Sequence, residues 1–136
     1  MNSPVLVDSN VLLDLVTDDE KWSQWSQAAL DRLVDDELVI NPLIYSEVSI
    51  GFARIEDLDD ALSTTLLKRE PLPYEAGFLA GKAYVRYRRR GGSRTSPFAD
   101  FYIGAHAAIR GYRLLTRDPR RYRTYFPSVV LIAPIR

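Results

Sequence analysis

Hydrophobic residues along this chain alternate between short apolar runs and longer amphipathic segments. Four short runs are rich in β-branched residues, which predicts buried strands at residues 4–8, 38–40, 113–116 and 129–133. Between these runs, apolar residues recur at helical spacing, which predicts helices over residues 22–35, 42–55, 57–67, 74–91 and 97–111. Residues 69–73 contain two prolines and predict a connection or a brief edge strand.

This alternation predicts the fold class. Strands that alternate with helices are typical of a parallel sheet covered on both faces. We therefore predict an α/β protein, a three-layer α/β/α sandwich with a mainly parallel central sheet. We expect residues 1–136 to form a single domain, because the chain has the length of one domain.

Local signals mark the ends of the predicted helices. Asn41-Pro42 and Ser96-Pro97 each combine a capping residue with a proline suited to the first helical position. Gly91-Gly92 and Gly111 are typical of helix ends. Gly77 and Gly81 lie on neighbouring turns of one predicted helix, which indicates close packing against another helix.

Composition excludes several classes of site. The chain has no cysteine, which excludes disulfides, thiolate metal sites and cysteine nucleophiles. No apolar run approaches the roughly 20 residues that span a membrane, so we expect no membrane association. The first residues lack the basic segment of a signal peptide, and we expect a cytoplasmic location.

The net charge of zero conceals a strong polarity along the chain. Residues 1–81 carry 16 acidic and 5 basic side chains, whereas residues 82–136 carry 2 acidic and 13 basic ones. A basic surface built from the second half would suit a polyanion such as RNA. Tyr84, Tyr87 and the run Arg88, Arg89 and Arg90 are candidates for base stacking and phosphate contact in RNA binding, although the arginine run is also consistent with a solvated helix end. Arg117, Arg120 and Arg121 flank Asp118 closely and are better candidates for holding an RNA backbone.

Four acidic residues lie where a parallel sheet gathers its chemistry, at the carboxyl ends of strands. Asp8 ends the first strand, and Asp118 follows the strand at 113–116. Glu47 lies in the first two turns of a predicted helix, and Asp100 lies in the first turn of another. Each acid alone could be a helix cap or a turn residue. Together they predict one acidic site.

A cluster of carboxylates favours a bound cation, because like charges close together otherwise stay partly protonated. Without cysteine, and with His106 as the single histidine, the available donors are oxygens. Such sites favour Mg²⁺ or Mn²⁺ over zinc. His106 follows Asp100 by six residues on one helix and points elsewhere, so we expect a structural or surface role. Trp22 and Trp25 lie in an acidic segment that would repel RNA, which favours core or partner contacts.

The motifs around these acids resemble the PIN-domain nucleases. The similarity rests on Val7-Asp8-Ser9-Asn10, Ser46-Glu47, Asp100-Phe-Tyr-Ile-Gly-Ala105 and Leu115-Thr-Arg-Asp118, in this order. The chain length and the closing segment from Thr116 to Pro127 are similar to VapC toxins of bacterial toxin–antitoxin pairs.

The resemblance implies metal-dependent cleavage of RNA by an activated water. Asp8, Glu47, Asp100 and Asp118 would hold the metal or order the water, and Asn10 and Thr116 would support them. It also implies a homodimer and a small VapB-like antitoxin that blocks the site. Gly104 stands where the family often has alanine, at a cost of about 1 kcal/mol in helix propensity.

Other functions fit the residues less well. A non-catalytic RNA-binding or protein-interaction module on the same fold remains an alternative, although an idle carboxylate cluster would only cost stability. A phosphoryl-accepting receiver would need a lysine near the site, yet no lysine follows Lys82. A dinucleotide site would need a glycine-rich motif after the first strand, which is absent.

Overall fold

The computed structural model describes residues 2–63, 65–93 and 98–135. Its strands form one five-stranded sheet, in the order β3-β2-β1-β4-β5 with every neighbouring pair parallel. The strands are β1 (Val5–Val7), β2 (Leu38–Ile40), β3 (Leu67–Arg69), β4 (Arg113–Leu115) and β5 (Leu131–Ile132). The predicted fold class, α/β with a parallel central sheet flanked by helices, is confirmed.

Helices connect successive strands. They are α1 (Ser9–Val16), α2 (Ser23–Arg32), α3 (Pro42–Ser49), α4 (Ile55–Ser63), α5 (Tyr74–Arg89), α6 (Phe98–Arg110) and α7 (Arg120–Tyr125). The predicted start of α3 is confirmed, because Asn41 Oδ1 accepts the amide of Ile44 at 2.9 Å and Pro42 occupies the first turn. The other proline signal, Ser96-Pro97, lies outside the described residues.

The sheet reverses its strand order beside β1, which lies between β2 and β4. Open α/β sheets bind ligands at such a switch point, beyond the carboxyl ends of the strands. A backbone hydrogen bond joins the carboxyl ends of β1 and β4, since the amide of Asp8 donates to the carbonyl of Leu115 at 2.9 Å. The residues that follow β1 and β4 are therefore neighbours in space.

The core lies between the sheet and its helices. All residues of β1 and β2 are buried, and Phe101 of α6 is fully enclosed. The prediction for Gly77 is confirmed, because a Cβ there would lie 3.0 Å from the Tyr102 hydroxyl of α6. The same prediction for Gly81 is wrong, since a Cβ there would meet nothing within 4 Å.

Some element bounds differ from the sequence prediction. The helix predicted over 57–67 is too long, because α4 ends at Ser63 and Leu67 opens β3. β3 is an edge strand with half-exposed and exposed side chains, so it carries no buried apolar run that would reveal it. Helix α7 was not predicted, since it is one and a half turns long and rich in arginine.

Within residues 2–63, 65–93 and 98–135, no helix is long and apolar enough to cross a lipid bilayer.

Candidate active site

A pocket of about 920 Å³ opens beyond the ends of β1 and β4. Three of the four predicted acids line it, namely Asp8, Asp100 and Asp118. Glu47 lies just behind the lining, where its Oε1 accepts a hydrogen bond of 2.9 Å from the Ser9 hydroxyl. The structure thus brings all four acids to one region, although two helices, the capping residue after β1 and a turn supply them.

Asp8 is the most buried and the most firmly held of the four. Its Oδ1 accepts the amide of Ser9 at 2.8 Å, which caps α1. Its Oδ2 accepts the hydroxyls of Thr116 and Tyr122, each at 2.9 Å, and the Asn10 amide at 3.4 Å. These contacts fix the carboxylate plane and concentrate donors on Oδ2, so Oδ1 keeps accepting capacity for a cation.

The two predicted supporting residues form one network with Asp8. Asn10 Nδ2 donates to Thr116 Oγ1 at 3.1 Å, and Asn10 Oδ1 accepts the amide of Arg117 at 3.3 Å. Thr116 Oγ1 also accepts the amide of Asp118 at 3.1 Å. This network ties the start of α1 to the turn after β4, and it places Asp118 beside Asp8.

The carboxyl groups affect one another's ionisation. Burial raises the pKa of Asp100 to about 6; the charge of Asp8 adds to this shift and Arg121 opposes it. Burial also raises the pKa of Asp8, against the hydrogen bonds from Thr116 and Tyr122. The pKa of Glu47 is raised by burial, with a further contribution from the charge of Asp100. Ionising all of these groups together is therefore costly.

The donor chemistry of this site fits a hard divalent cation. Every candidate ligand is a carboxylate oxygen, and a cation would stabilise the charged form of these buried groups and relieve the repulsion that adds to their raised pKa values. In the described part of the chain, however, no three Asp, Glu or His side chains form a group that could hold a metal ion. The acids share a pocket without closing around a single point, and Arg121 Nη1 donates to Asp100 Oδ2 at 3.0 Å.

Basic and aromatic side chains line the remainder of the pocket. The predicted RNA-binding residues Arg117, Arg120 and Arg121 all line it, whereas Arg88 and Arg89 do not. The neighbouring Arg90 does so instead. Arg90 is the C-cap that follows α5, and because successive helical side chains turn by about 100°, only one of the three consecutive arginines reaches the pocket.

Sequence reasoning missed Tyr122, whose hydroxyl contacts Asp8. Its side chain is 2% exposed, and burial raises the pKa of the phenol well above its usual range. The signal that could have found it is the spacing of Tyr122 and Phe126, which places two aromatic side chains on one face of α7. Tyr87, a stacking candidate from the sequence, lines the pocket. Trp22, expected in the core or at a partner contact, and Tyr125, which no sequence signal marked, line it too.

His106 lies elsewhere in the molecule, as the sequence predicted. The ring is fully buried, with Nδ1 2.9 Å from Asn41 Nδ2 and Nε2 2.6 Å from Glu70 Oε2. Asn41 uses its Oδ1 as a helix cap, so its amino group donates to Nδ1 and Nε2–H donates to Glu70. Burial lowers the pKa of His106. The neutral ring is therefore a structural link.

Comparison with protein families identifies the chain. The model of the PIN domain matches residues 5–127. The chain belongs to the PIN-domain family. PIN domains are nucleases that generally use divalent metals. A comparison with curated proteins gives no match.

Solved structures share the fold of this PIN domain. VapBC2 from Rickettsia felis, bound to a promoter DNA fragment, matches with a TM-score of 0.73 and 16% identity, covering 96% of this chain and 98% of that chain. DNA-bound VapBC from Salmonella typhimurium matches with a TM-score of 0.71 and 17% identity, covering 98% of each chain. A toxin–antitoxin complex from Klebsiella pneumoniae matches with a TM-score of 0.68 and 21% identity, covering 93% of this chain and 95% of that chain. At these identities the likeness is one of fold.

Proposed function

We propose that this PIN domain is a metal-dependent endoribonuclease and the toxin of a VapBC-type toxin–antitoxin pair. In this proposal residues 1–136 act as a single nuclease domain. One observation carries it: Asp8 and Asp100, both with raised pKa, share a pocket with four arginines in a chain of a nuclease family. Carboxylates for a cation and guanidinium groups for phosphate are what phosphodiester cleavage requires.

Asp8 and Asp100 are the main ligands that we assign to Mg²⁺ or Mn²⁺. A bound divalent cation lowers the pKa of a water and offsets charge on the phosphoryl group. Glu47 and Asp118 complete the set of catalytic acids. Asp118 is exposed and held only through its backbone in the described structure, so its carboxylate orders water more than it binds metal.

Supporting residues prepare this site. Thr116, Asn10 and Tyr122 hold Asp8 by hydrogen bonds to Oδ2, which leaves Oδ1 with accepting capacity for a cation. Arg117, Arg120 and Arg121 bind the RNA backbone beside the scissile phosphate. We assign Arg88 and Arg89 to contacts with the RNA backbone farther from the scissile phosphate, because they lie in the last turn of α5, directly before the pocket residue Arg90.

The proposed partner is a small VapB-like antitoxin, and the proposed assembly is a homodimer that acts in the cytoplasm. The fold is shared with chains from toxin–antitoxin complexes, which supports this partner. Co-expression with the neighbouring reading frame should restore growth that the chain alone arrests, and light scattering should give twice the mass of 15.5 kDa. Growth arrest that persists in an Asp8→Asn variant would contradict the toxin mechanism.

RNA cleavage tests the enzymatic part of the proposal. Wild type should cleave single-stranded RNA with Mg²⁺ or Mn²⁺ and lose this activity in EDTA. Asp8→Asn should abolish cleavage, whereas Asp60→Asn, an exposed acid on α4, should leave it unchanged. Cleavage that survives both EDTA and Asp8→Asn would overturn the proposal.

Metal titration separates the nuclease from a non-catalytic module on the same fold. Calorimetry should detect Mn²⁺ binding to wild type and a much weaker signal with Asp8→Asn. Absence of binding at millimolar Mg²⁺ and Mn²⁺, together with intact RNA binding, would favour the module.

A further inference from the structure

Trp22 lies in the wall of the acidic pocket rather than in the core. Its ring is half-exposed and lines the same pocket as Asp8 and Asp100. Trp25 differs, because it packs against the hydrophobic core and meets Trp22 edge-on with ring centroids 6.2 Å apart. The core or partner role expected for both tryptophans therefore fits Trp25 only.

A tight turn fixes the backbone of Trp22. Asp19 Oδ1 accepts the amide of Lys21 at 2.9 Å and the amide of Trp22 at 2.8 Å. The carbonyl of Asp19 accepts the amide of Ser23 at 2.9 Å, and Trp22 then caps α2. The backbone that carries the ring is thus ordered beside the pocket before any ligand binds, which lowers the entropic cost of using the side chain.

Arg117 lies over the Trp22 ring and is itself anchored. Its Nε donates to Asp14 Oδ1 at 3.0 Å and to Oδ2 at 2.8 Å, and Asp14 is 2% exposed. The Ser26 hydroxyl donates to the same carboxylate at 2.9 Å. The guanidinium carbon lies 5.6 Å from the ring centroid. The terminal amino groups of Arg117 make no hydrogen bond to the residues that the structure describes.

The charges placed over the ring are positive. Lys21 directly precedes Trp22, and its Nζ lies 5.4 Å from the centroid of the Trp22 ring. Of the acids in this segment, Asp14 is paired with Arg117 and Asp19 is engaged by backbone amides. Asp18 and Glu20 are exposed in the same segment, but the charged side chains that lie over the ring itself are the cations Lys21 and Arg117.

We propose that Trp22 is a stacking platform for an unpaired nucleobase of RNA, next to the phosphate that enters the acidic pocket. The terminal amino groups of Arg117 pair with a phosphate beside that base. This inference rests on the proposed function and adds a subsite to it. Aromatic rings beside arginines bind single-stranded RNA in this way, because every base offers a stacking face and every linkage a negative charge.

The affinity for RNA tests the stacking contact. Binding of a short, fluorescein-labelled, unstructured single-stranded RNA is measured by anisotropy in EDTA, which suppresses cleavage. Trp22→Ala should weaken binding by about five- to 100-fold, the range that one base–aromatic stack gives. Trp22→Phe and Trp22→Tyr keep a stacking ring and should remain within a few-fold of wild type. Trp25→Phe is the matched control and should bind like wild type.

Fluorescence reports the contact directly, because the chain has two tryptophans. In Trp25→Phe the emission comes from Trp22, and saturating RNA should quench it. In Trp22→Phe the emission comes from Trp25, and the same RNA should leave it nearly unchanged. A duplex of the same sequence offers no unpaired base along its length, so it should not quench Trp22.

The outcomes separate this inference from the function on which it rests. Equal affinity of wild type and Trp22→Ala, with both folded by circular dichroism, would overturn the stacking role and leave the nuclease proposal standing. Quenching of Trp25 but not of Trp22 would also overturn it. Wild-type protein that neither binds nor cleaves RNA would overturn the proposed function together with the subsite.

Discussion

Helix α6 requires glycine at position 104, because the neighbouring aromatic rings leave no room for a side chain there. A Cβ at this position would lie 2.4 Å from Phe126 Cδ2, 2.6 Å from its Cε2 and 3.0 Å from Tyr122 Cδ1. Contacts this short force the aromatic rings, and with them α7, away from α6. Alanine at this position is therefore expected to destabilise the protein, although helix propensity alone predicts the opposite.

The magnitude follows from two opposing contributions. Alanine gains about 1 kcal/mol of helix propensity over glycine, whereas overpacking a filled core costs about 1–3 kcal/mol. We therefore expect Gly104→Ala to lower the free energy of unfolding by about 1 kcal/mol. Gly81→Ala is the matched control: it lies inside α5, where a Cβ meets nothing within 4 Å, and it should stabilise by about 1 kcal/mol.

Urea unfolding followed by circular dichroism measures both variants. The two free energies of unfolding should differ by about 2 kcal/mol, with Gly81→Ala the more stable. RNA cleavage should fall in Gly104→Ala alone, because a displaced α7 moves the Tyr122 hydroxyl from Asp8. A Gly104→Ala protein as stable as Gly81→Ala, with wild-type cleavage, would refute the packing argument.

Three further predictions follow from the buried polar groups. Tyr122→Phe removes a hydroxyl that donates to Asp8, so the free energy of unfolding should fall by about 1–3 kcal/mol in urea titrations, and unchanged stability would show that this hydrogen bond contributes nothing. The pKa of His106 is lowered by burial, so the unfolded chain takes up a proton first and stability should fall as the pH drops below 6.5. Burial raises the pKa of Glu70, but the hydrogen bonds from Tyr112 and His106 outweigh it and the pKa is lowered, so a further loss of stability is expected below pH 4.5. Thermal unfolding of His106→Gln should lack the loss that begins at pH 6.5 and show a smaller loss below 4.5, because His106 contributes to the lowered pKa of Glu70. Asp100 contributes to the pH dependence of stability with the opposite sign. Its pKa is raised from 3.8 to about 6, which favours folding at low pH, and this contribution is lost as the pH rises through 6. The affinity for Mn²⁺, measured by calorimetry, should fall as the pH drops through 6, because the Asp100 carboxylate of the metal-free protein is then protonated, and an affinity that stays constant from pH 7.5 to 5 would contradict this assignment.

The sequence alone predicted the fold class and the region of the site. Short apolar runs between amphipathic segments require a sheet covered on both faces, and the carboxyl ends of its parallel strands lie along one edge. Asp8 and Asp118 follow two such strands, so their proximity was predictable without coordinates. The absence of cysteine was enough to favour oxygen donors for any metal.

Only the tertiary structure decided which other side chains surround those acids. Tyr122 is 114 residues from Asp8, and Arg117 is 103 residues from Asp14, yet hydrogen bonds join both pairs. Nothing local in the sequence marks such contacts, because they depend on how α7 and the turn after β4 pack against α1. Hydrophobic periodicity records which face of an element is buried, whereas the partner of a polar group is set by the packing of distant elements.

The two tryptophans illustrate the same division. Both lie in a segment that is acidic in sequence, but the charges around each ring in the folded protein also come from residues that are distant in sequence. Folding pairs Asp14 with Arg117 from the far end of the chain and leaves that guanidinium over Trp22. The sequence therefore determined where carboxylates gather, because strand ends and helix starts are local features. The structure decided which aromatic and basic groups face them, because those neighbours come together only when the core closes.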